Sequence, residues 1–120
     1  MKAARKTNHQ SGLRAETIAA FLLRLKGYRI LRTRWRTPVG EIDLLATRGK
    51  TLVIVEVKYR KTVEAALDCV TNTQRQRLDH AMRYVVAALP RYNNYTWRYD
   101  LMAMAPRTWP RHIISAWEGK

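Results

Sequence analysis

The amino-acid sequence predicts an α/β domain in which helices flank a mixed central β-sheet, in the order α-β-β-β-α-β-β. Three observations carry that prediction. Two stretches repeat their apolar residues at helical spacing, near 15–25 and 78–89. Two short runs of branched aliphatics, Ile42 to Ala46 and Leu52 to Val57, have the length and composition of core strands. Between those runs, Arg48-Gly49-Lys50 has the make-up of a tight turn, with Gly49 free to take a positive φ. A chain of 120 residues, 47% of them hydrophobic, forms one domain with one core.

In chain order, residues 1 to 10 are polar and basic and are expected as a mobile tail, leaving residues 11 to 120 as the single domain. The first helix is expected from about Ser11, a capping residue, to Lys26, with Gly27 as its stop. Its predicted apolar stripe is Ile18, Leu22 and Leu25, flanked by Ala15 and Ala19. Glu16 is the odd residue, because its neighbours one and two turns on are Ala19, Ala20 and Leu23. It reads either as an acid near a helix N-terminus, favoured by the dipole, or as an acid aimed from the helix into a site on the sheet. Tyr28 to Trp35 follows as a strand. Strict alternation places Arg32, Arg34 and Arg36 on one face, suited to phosphate contacts or to the charged defence of an exposed edge. Pro38 and Gly40 turn the chain into the central hairpin.

That hairpin, GEIDLLATRGKTLVIVEVKYR from Gly40 to Arg60, holds the anomaly. Asp43, Glu56 and Lys58 interrupt otherwise apolar strands, and an unpartnered buried carboxylate is costly or takes up a proton. Glu56 and Lys58 share a face by alternation, and Asp43 is expected to come alongside from the neighbouring strand. Two acids and a lysine converging on one point suit a hard cation such as Mg²⁺ or Mn²⁺ beside a phosphate oxygen. A structural salt bridge formed by Lys58 is the competing reading.

Residues 62 to 70 carry a weak helical signal, and a second helix is expected from Thr73 to Leu89, stopped by Pro90. Its start, Gln74-Arg75-Gln76-Arg77, is polar and basic, as befits a helix end facing phosphate. Trp97 to Ala105 reads as a strand containing Asp100, expected to pair with Arg98 or another arginine. Residues 106 to 110 form a loop, and His112 to Trp117 a short last strand. Core packing is the expectation for each of the four Trp residues.

Lys and Arg number 23 against 9 acids, for a net charge of +14, which implies a polyanionic partner, nucleic acid before an anionic membrane surface. Within so basic a chain, three of the nine acids, Glu41, Asp43 and Glu56, fall inside one short stretch, which favours a metal site. The single Cys69 excludes an internal disulfide and a cysteine-based zinc site, and a reducing, cytoplasmic setting fits. Neither a secretory signal nor a stretch long enough to span a bilayer is expected.

Glu16 within GLRAETIAAFLLRLKGYRIL, GEIDLLA at 40–46 and IVEVKYR at 54–60 resemble the YraN family of small bacterial proteins. Weaker likeness at Arg98-Tyr99-Asp100 and His112-Ile113-Ile114 extends the resemblance over about residues 12 to 117. Acids on the first helix, second strand and third strand also resemble the PD-(D/E)XK nuclease superfamily, with its restriction-endonuclease-like core, and are similar to archaeal Holliday-junction resolvases. There are two departures. Tyr59 stands where the resolvases usually have Ser, and Gln74 where the YraN pattern tends to have lysine.

The resemblance implies a metal-dependent endonuclease acting on DNA rather than RNA, on branched or otherwise structured substrates. It implies Asp43, Glu56 and the Val57 carbonyl as ligands of Mg²⁺ or Mn²⁺, Lys58 as the residue that orients water, and Glu16 as a further catalytic acid. Arg32, Arg34, Arg36, Arg60, Gln74 and Arg75 are then the expected contacts to the nucleic-acid backbone. A binding module of the same fold, acting with a partner protein in DNA processing, is the alternative. Symmetrical cutting of a junction needs a homodimer, for which a sheet edge or the Trp117 region is the expected surface.

Overall fold

The structure, a computed structural model, describes the backbone of residues 2–69 and 71–117 and the side chains of 14–69 and 71–116. Helix α1 (Lys2–Leu25) is followed by strands β1 (Arg29–Thr37), β2 (Gly40–Arg48) and β3 (Thr51–Tyr59). Helices α2 (Val63–Leu67) and α3 (Asn72–Ala88) then cross over to β4 (Thr96–Met104), and β5 (Arg111–Trp117) closes the chain. The sheet runs β1-β2-β3-β4-β5, with β3 and β4 parallel and the other neighbours antiparallel, so it is mixed, as the sequence predicts. The order and the sheet are consistent with a restriction-endonuclease-like core. Among the described residues, no helix is long and apolar enough to cross a membrane.

Both faces of the sheet are covered, which is why β2 and β3 read as apolar throughout. Ile42, Leu45, Leu52, Ile54 and Leu101 pack under Leu78, Met82 and Val85 of α3. On the other face Leu44, Val53, Val55 and Met102 pack under Ala15, Ala19, Ala20 and Leu23 of α1. Thr71 caps α3 by accepting from the Gln74 amide at 3.1 Å, so the helix begins at Asn72, one residue ahead of the expected Thr73. The weak signal at 62–70 corresponds to α2, capped by Thr62.

Helix α1 stops at Gly27 as expected but departs from expectation at its start and in its face. It begins at Lys2 rather than Ser11, so the segment expected as a tail continues the helix; its side chains, and the Ser11 cap, lie outside the described residues. It ends in a Schellman arrangement, with Gly27 at φ 92 and the Tyr28 amide reaching back to the Leu23 carbonyl at 2.9 Å. The buried strip is made of small residues and Leu23, while Ile18 and Leu25, two of the three expected stripe residues, are exposed along with Phe21. Alanines let the helix lie close to the sheet, and that close approach turns the larger aliphatics outward.

The arginines of β1 do not share a face. Pairing slips between Ile30 and Arg32, and Arg34 sits at φ 50. Each irregularity resets the alternation that the sequence prediction assumes. Arg32 lies opposite Leu45 and stacks on Trp35, whereas Arg34 reaches Glu16 of α1 across the other face. Trp35 and Trp97 pack against the core as expected, but Trp109 is 85% exposed. The Trp117 side chain lies outside the described residues.

Candidate functional site

Asp43 occupies a break in the alternation of β2. Ile42 and Leu44 are two apart and should face the same way, yet they pack into opposite cores. The β2–β3 pairing runs from Arg48 only as far as Leu44 opposite Val55. Beyond that point the Asp43 carboxylate takes over, accepting the Val57 amide on Oδ2 at 2.8 Å. The local backbone thus turns an aspartate into a substitute for a ladder carbonyl.

Two groups of acids meet at that aspartate. Glu16 from α1 and Glu41 from β2 place carboxylate oxygens so that, with Asp43, all lie within 4.8 Å of one another. Glu56 from β3 lies beside Asp43, and Lys58 Nζ stands 3.8 Å from Glu56 Oε1. Burial, then the charge and the carboxyl of neighbouring Asp43, raise Glu56 from 4.5 to about 8 against the pull of Lys58 and Arg77. Burial and Asp43 likewise raise Glu16 to about 7, opposed by Arg34 at 3.5 Å. Asp43 itself is raised by burial, partly offset by the Val57 amide, Glu56 and Lys58.

Among the described residues, Glu16 Oε1 and Glu56 Oε2 are buried side-chain oxygens with no hydrogen-bond partner. Unmet buried acceptors are expensive and native structures hold few of them. Hard oxygen donors from Glu16, Glu41 and Asp43, with Glu56 next to Asp43 but outside that group of three, fit a Mg²⁺- or Mn²⁺-type cation.

Arg77 of α3 closes the far side. Its guanidinium lies 3.5 Å from the Glu41 carbonyl, and a Cβ on Gly40 would stand 2.5 Å from Arg77 Nη1. Glycine at position 40 therefore does two jobs, allowing φ 127 and clearing space for the arginine. With its amide oriented to satisfy both neighbours, Gln74 accepts from Lys58 Nζ at 3.1 Å and donates to the Cys69 carbonyl at 3.2 Å.

Of the residues expected from sequence, Glu16, Asp43, Glu56 and Lys58 converge. Val57 meets Asp43 through its amide. Glu41 joins the acids but is also held at the rim by Arg36, at 3.5 Å and with 37% of its side chain exposed. Gln74 touches the site through Lys58. Arg34 is drawn in as a partner of Glu16, whereas Arg32, Arg60 and Arg75 are exposed. Arg77 is the residue that expectation passed over in favour of Arg75. The available signal was spacing, since Arg77 follows Gln74 by three and shares its helix face.

A second buried carboxylate lies elsewhere on the sheet. Asp100 of β4 accepts from Arg98 Nε and Nη2 at 2.9 and 2.8 Å and from the Ser115 amide at 3.0 Å, and meets His112 Nε2 at 2.7 Å. Arg98 also donates to the Tyr28 hydroxyl. Burial alone would raise the Asp100 carboxyl, but His112, Arg98 and the Ser115 amide hold it below its usual range. The expected pairing with Arg98 is present; the part played by His112 was not anticipated.

Fold and site together define a small mixed α/β protein with an under-satisfied acidic cluster, a lysine and an arginine at one end of the sheet. The model of the uncharacterised protein family UPF0102 matches residues 15–104, and the chain belongs to that family. It is similar to UPF0102 proteins of Caulobacter vibrioides (55% identity over 90% of this chain and 86% of the relative) and of Parvibaculum lavamentivorans (43% over 97% and 92%). A UPF0102 protein of Chelativorans sp. is 47% identical over 92% of this chain and 89% of its own. The matched span falls inside the stretch that resembles the YraN family.

Proposed function

We propose that this protein is a metal-dependent endonuclease that hydrolyses phosphodiester bonds in DNA, in the manner of the PD-(D/E)XK nucleases. The observation that carries the reading is the set of unsatisfied carboxylate oxygens around Asp43, with Lys58 held beside them. Asp43, Glu16 and Glu41 would hold Mg²⁺ or Mn²⁺, with Glu56 completing the set from the Lys58 side. Such a cation, when bound, neutralises phosphate charge and lowers the pKa of a water. Lys58, fixed between Glu56 and Gln74, is placed to orient the attacking water and to stabilise charge developing on the phosphate oxygens. Arg77 holds the β2 entry in place and adds a fixed positive charge near the acids. The net charge of +14 supplies the attraction for a polyanion, with exposed Arg32, Arg60 and Arg75 as backbone contacts.

The test is cleavage of a labelled panel: blunt duplex, single strand, flap, splayed arm, four-way junction and structured RNA, each with Mg²⁺, Mn²⁺ or EDTA. The expected result is metal-dependent cutting of DNA that falls by at least about 100-fold in Lys58→Met and vanishes in Asp43→Ala. Tight binding without cutting on every substrate would instead make the chain a binding module that relies on a partner protein.

A further inference from the structure

A small recess opens between α1 and β1, and Glu16 forms part of its wall. The same Glu16 offers a carboxylate oxygen within 4.8 Å of those of Asp43 and Glu41, so recess and acidic cluster share a side chain. Arg24, from the last turn of α1, and Arg34 of β1 also line the recess, with Thr33 beside them. Its volume is about 180 Å³, below the range of about 300–1,000 Å³ that takes whole small-molecule ligands. Two guanidinium groups and a hydroxyl in a space of that size suit a single phosphate group. Glu16 does not suit it, because its negative charge lies in the same wall.

Arg34 is held there under strain. Its backbone takes φ 50, a region that residues with a side chain occupy only where their surroundings impose it. What this conformation secures is a loose contact. Arg34 Nη1 stands 3.5 Å from Glu16 Oε1, an ion pair to a buried oxygen that has no hydrogen-bond partner. The pair between Arg98 and Asp100 has the opposite character, with two hydrogen bonds at 2.9 and 2.8 Å to a fully buried carboxylate. Arg34 instead makes one long contact and keeps 34% of its side chain exposed. A strained arginine resting loosely on an acid that belongs to a cation cluster is built to be exchanged.

We propose that Arg34 is a stand-in for the cation on Glu16, and that the recess becomes a phosphate site when a cation takes its place. The inference rests on the cation reading of Glu16, Asp43 and Glu41. Without the cation, Glu16 and Arg34 cancel, which leaves Arg24 as the one uncompensated charge among the residues lining the recess. Once Glu16 is engaged by the cation, Arg34 joins Arg24 as a donor to phosphate. The ligand is a phosphate of the DNA strand next to the one being cut, since Glu16 belongs to both sites. Cation and phosphate then favour one another, and linkage requires each to raise the other's affinity by the same factor. Arg34 differs in this from Arg32, Arg60 and Arg75, whose attraction for the backbone needs no cation.

The test measures binding rather than cleavage. Mn²⁺ alone is titrated calorimetrically into wild type and Arg34→Gly, a substitution whose backbone suits φ 50. Removing the stand-in should tighten Mn²⁺ binding by at least about fivefold. Duplex DNA is then titrated by fluorescence anisotropy, with and without Mn²⁺, in a Lys58→Met background that suppresses cutting. With Mn²⁺, Arg34→Gly and Arg24→Ala should each weaken DNA binding by about tenfold or more, as befits a lost charge-assisted hydrogen bond. Without Mn²⁺, Arg34→Gly should change it by less than about twofold, because the guanidinium is then engaged by Glu16. Equal loss with and without Mn²⁺, no loss in either, or unchanged or weaker Mn²⁺ binding in Arg34→Gly overturns the exchange and leaves the cation site in place. Wild-type protein that binds no Mn²⁺ overturns the exchange and the nuclease reading together.

Discussion

Asp100 and Glu56 lie on neighbouring parallel strands, Asp100 level with Val55 and Glu56 one step further along, and both are buried. Their surroundings are opposite. Asp100 is saturated by an arginine, a histidine and a backbone amide, and its carboxyl is held below the usual range. Glu56 keeps one oxygen without a partner, leans on another acid, and is raised to about 8. Burial alone therefore does not mark a functional acid; a buried acid left short of donors does. Asp100 ties β5 and Tyr28 to β4, since its partners come from both strands and Arg98 carries the link to the end of α1. The Glu56 side carries the cost of an arrangement that a cation would relieve.

The largest way to break this comparison is to treat the two acids alike. Asp100→Ala leaves a buried guanidinium and an imidazole without their acceptor, and its expected cost is about 3–5 kcal/mol in a denaturant titration. Glu56→Gln keeps a donor toward Asp43 and removes a charge, so stability is unchanged or raised at pH above about 8. Equal destabilisation by both substitutions would contradict the contrast.

The second effect is pH dependence, and the two acids have opposite signs. Glu56 is raised from 4.5 to about 8 and Glu16 from 4.5 to about 7, so the folded protein binds more protons than the unfolded chain between those values. Their contribution to unfolding free energy must fall as pH rises through that window. Asp100 is lowered from 3.8, so its stabilisation is present above that value and is lost only as pH drops through the folded pKa. Denaturant midpoints at about pH 5 and about pH 9 should separate wild type from Glu56→Gln, with the variant gaining at the higher pH. A difference that does not change with pH would place the Glu56 charge in water.

Much of this site was legible in the sequence because it lies on the most regular part of the chain. The turn at Gly49, the strands on either side of it and the shared face of Glu56 and Lys58 follow from a period of two. Asp43 comes alongside Glu56 as expected, but by a route that period does not contain, since the strand inverts between Ile42 and Leu44. The same kind of irregularity at Arg34 scattered the three arginines. Hydrophobicity favoured Ile18 and Leu25 as the buried stripe of α1, whereas close packing selected the alanines. The pairing of Asp100 with His112 joins separate strands, and the exposure of Trp109 depends on how two prolines shape a loop, neither of which local pattern encodes.

The smallest effect is also the most direct test of the central claim, that the under-satisfied acids hold a divalent cation. Mn²⁺ titrated into the protein at about pH 7, followed by calorimetry in buffers of different ionisation enthalpy, should show saturable binding with release of about one proton, because a carboxyl held protonated must give up its proton to become a ligand. Bound cation should add about 1.4 kcal/mol of stability at roughly tenfold excess over Kd, and both signals should disappear in Asp43→Ala while that protein stays folded by circular dichroism. Undetectable binding to the wild-type protein, or binding that survives Asp43→Ala unchanged, would contradict the account.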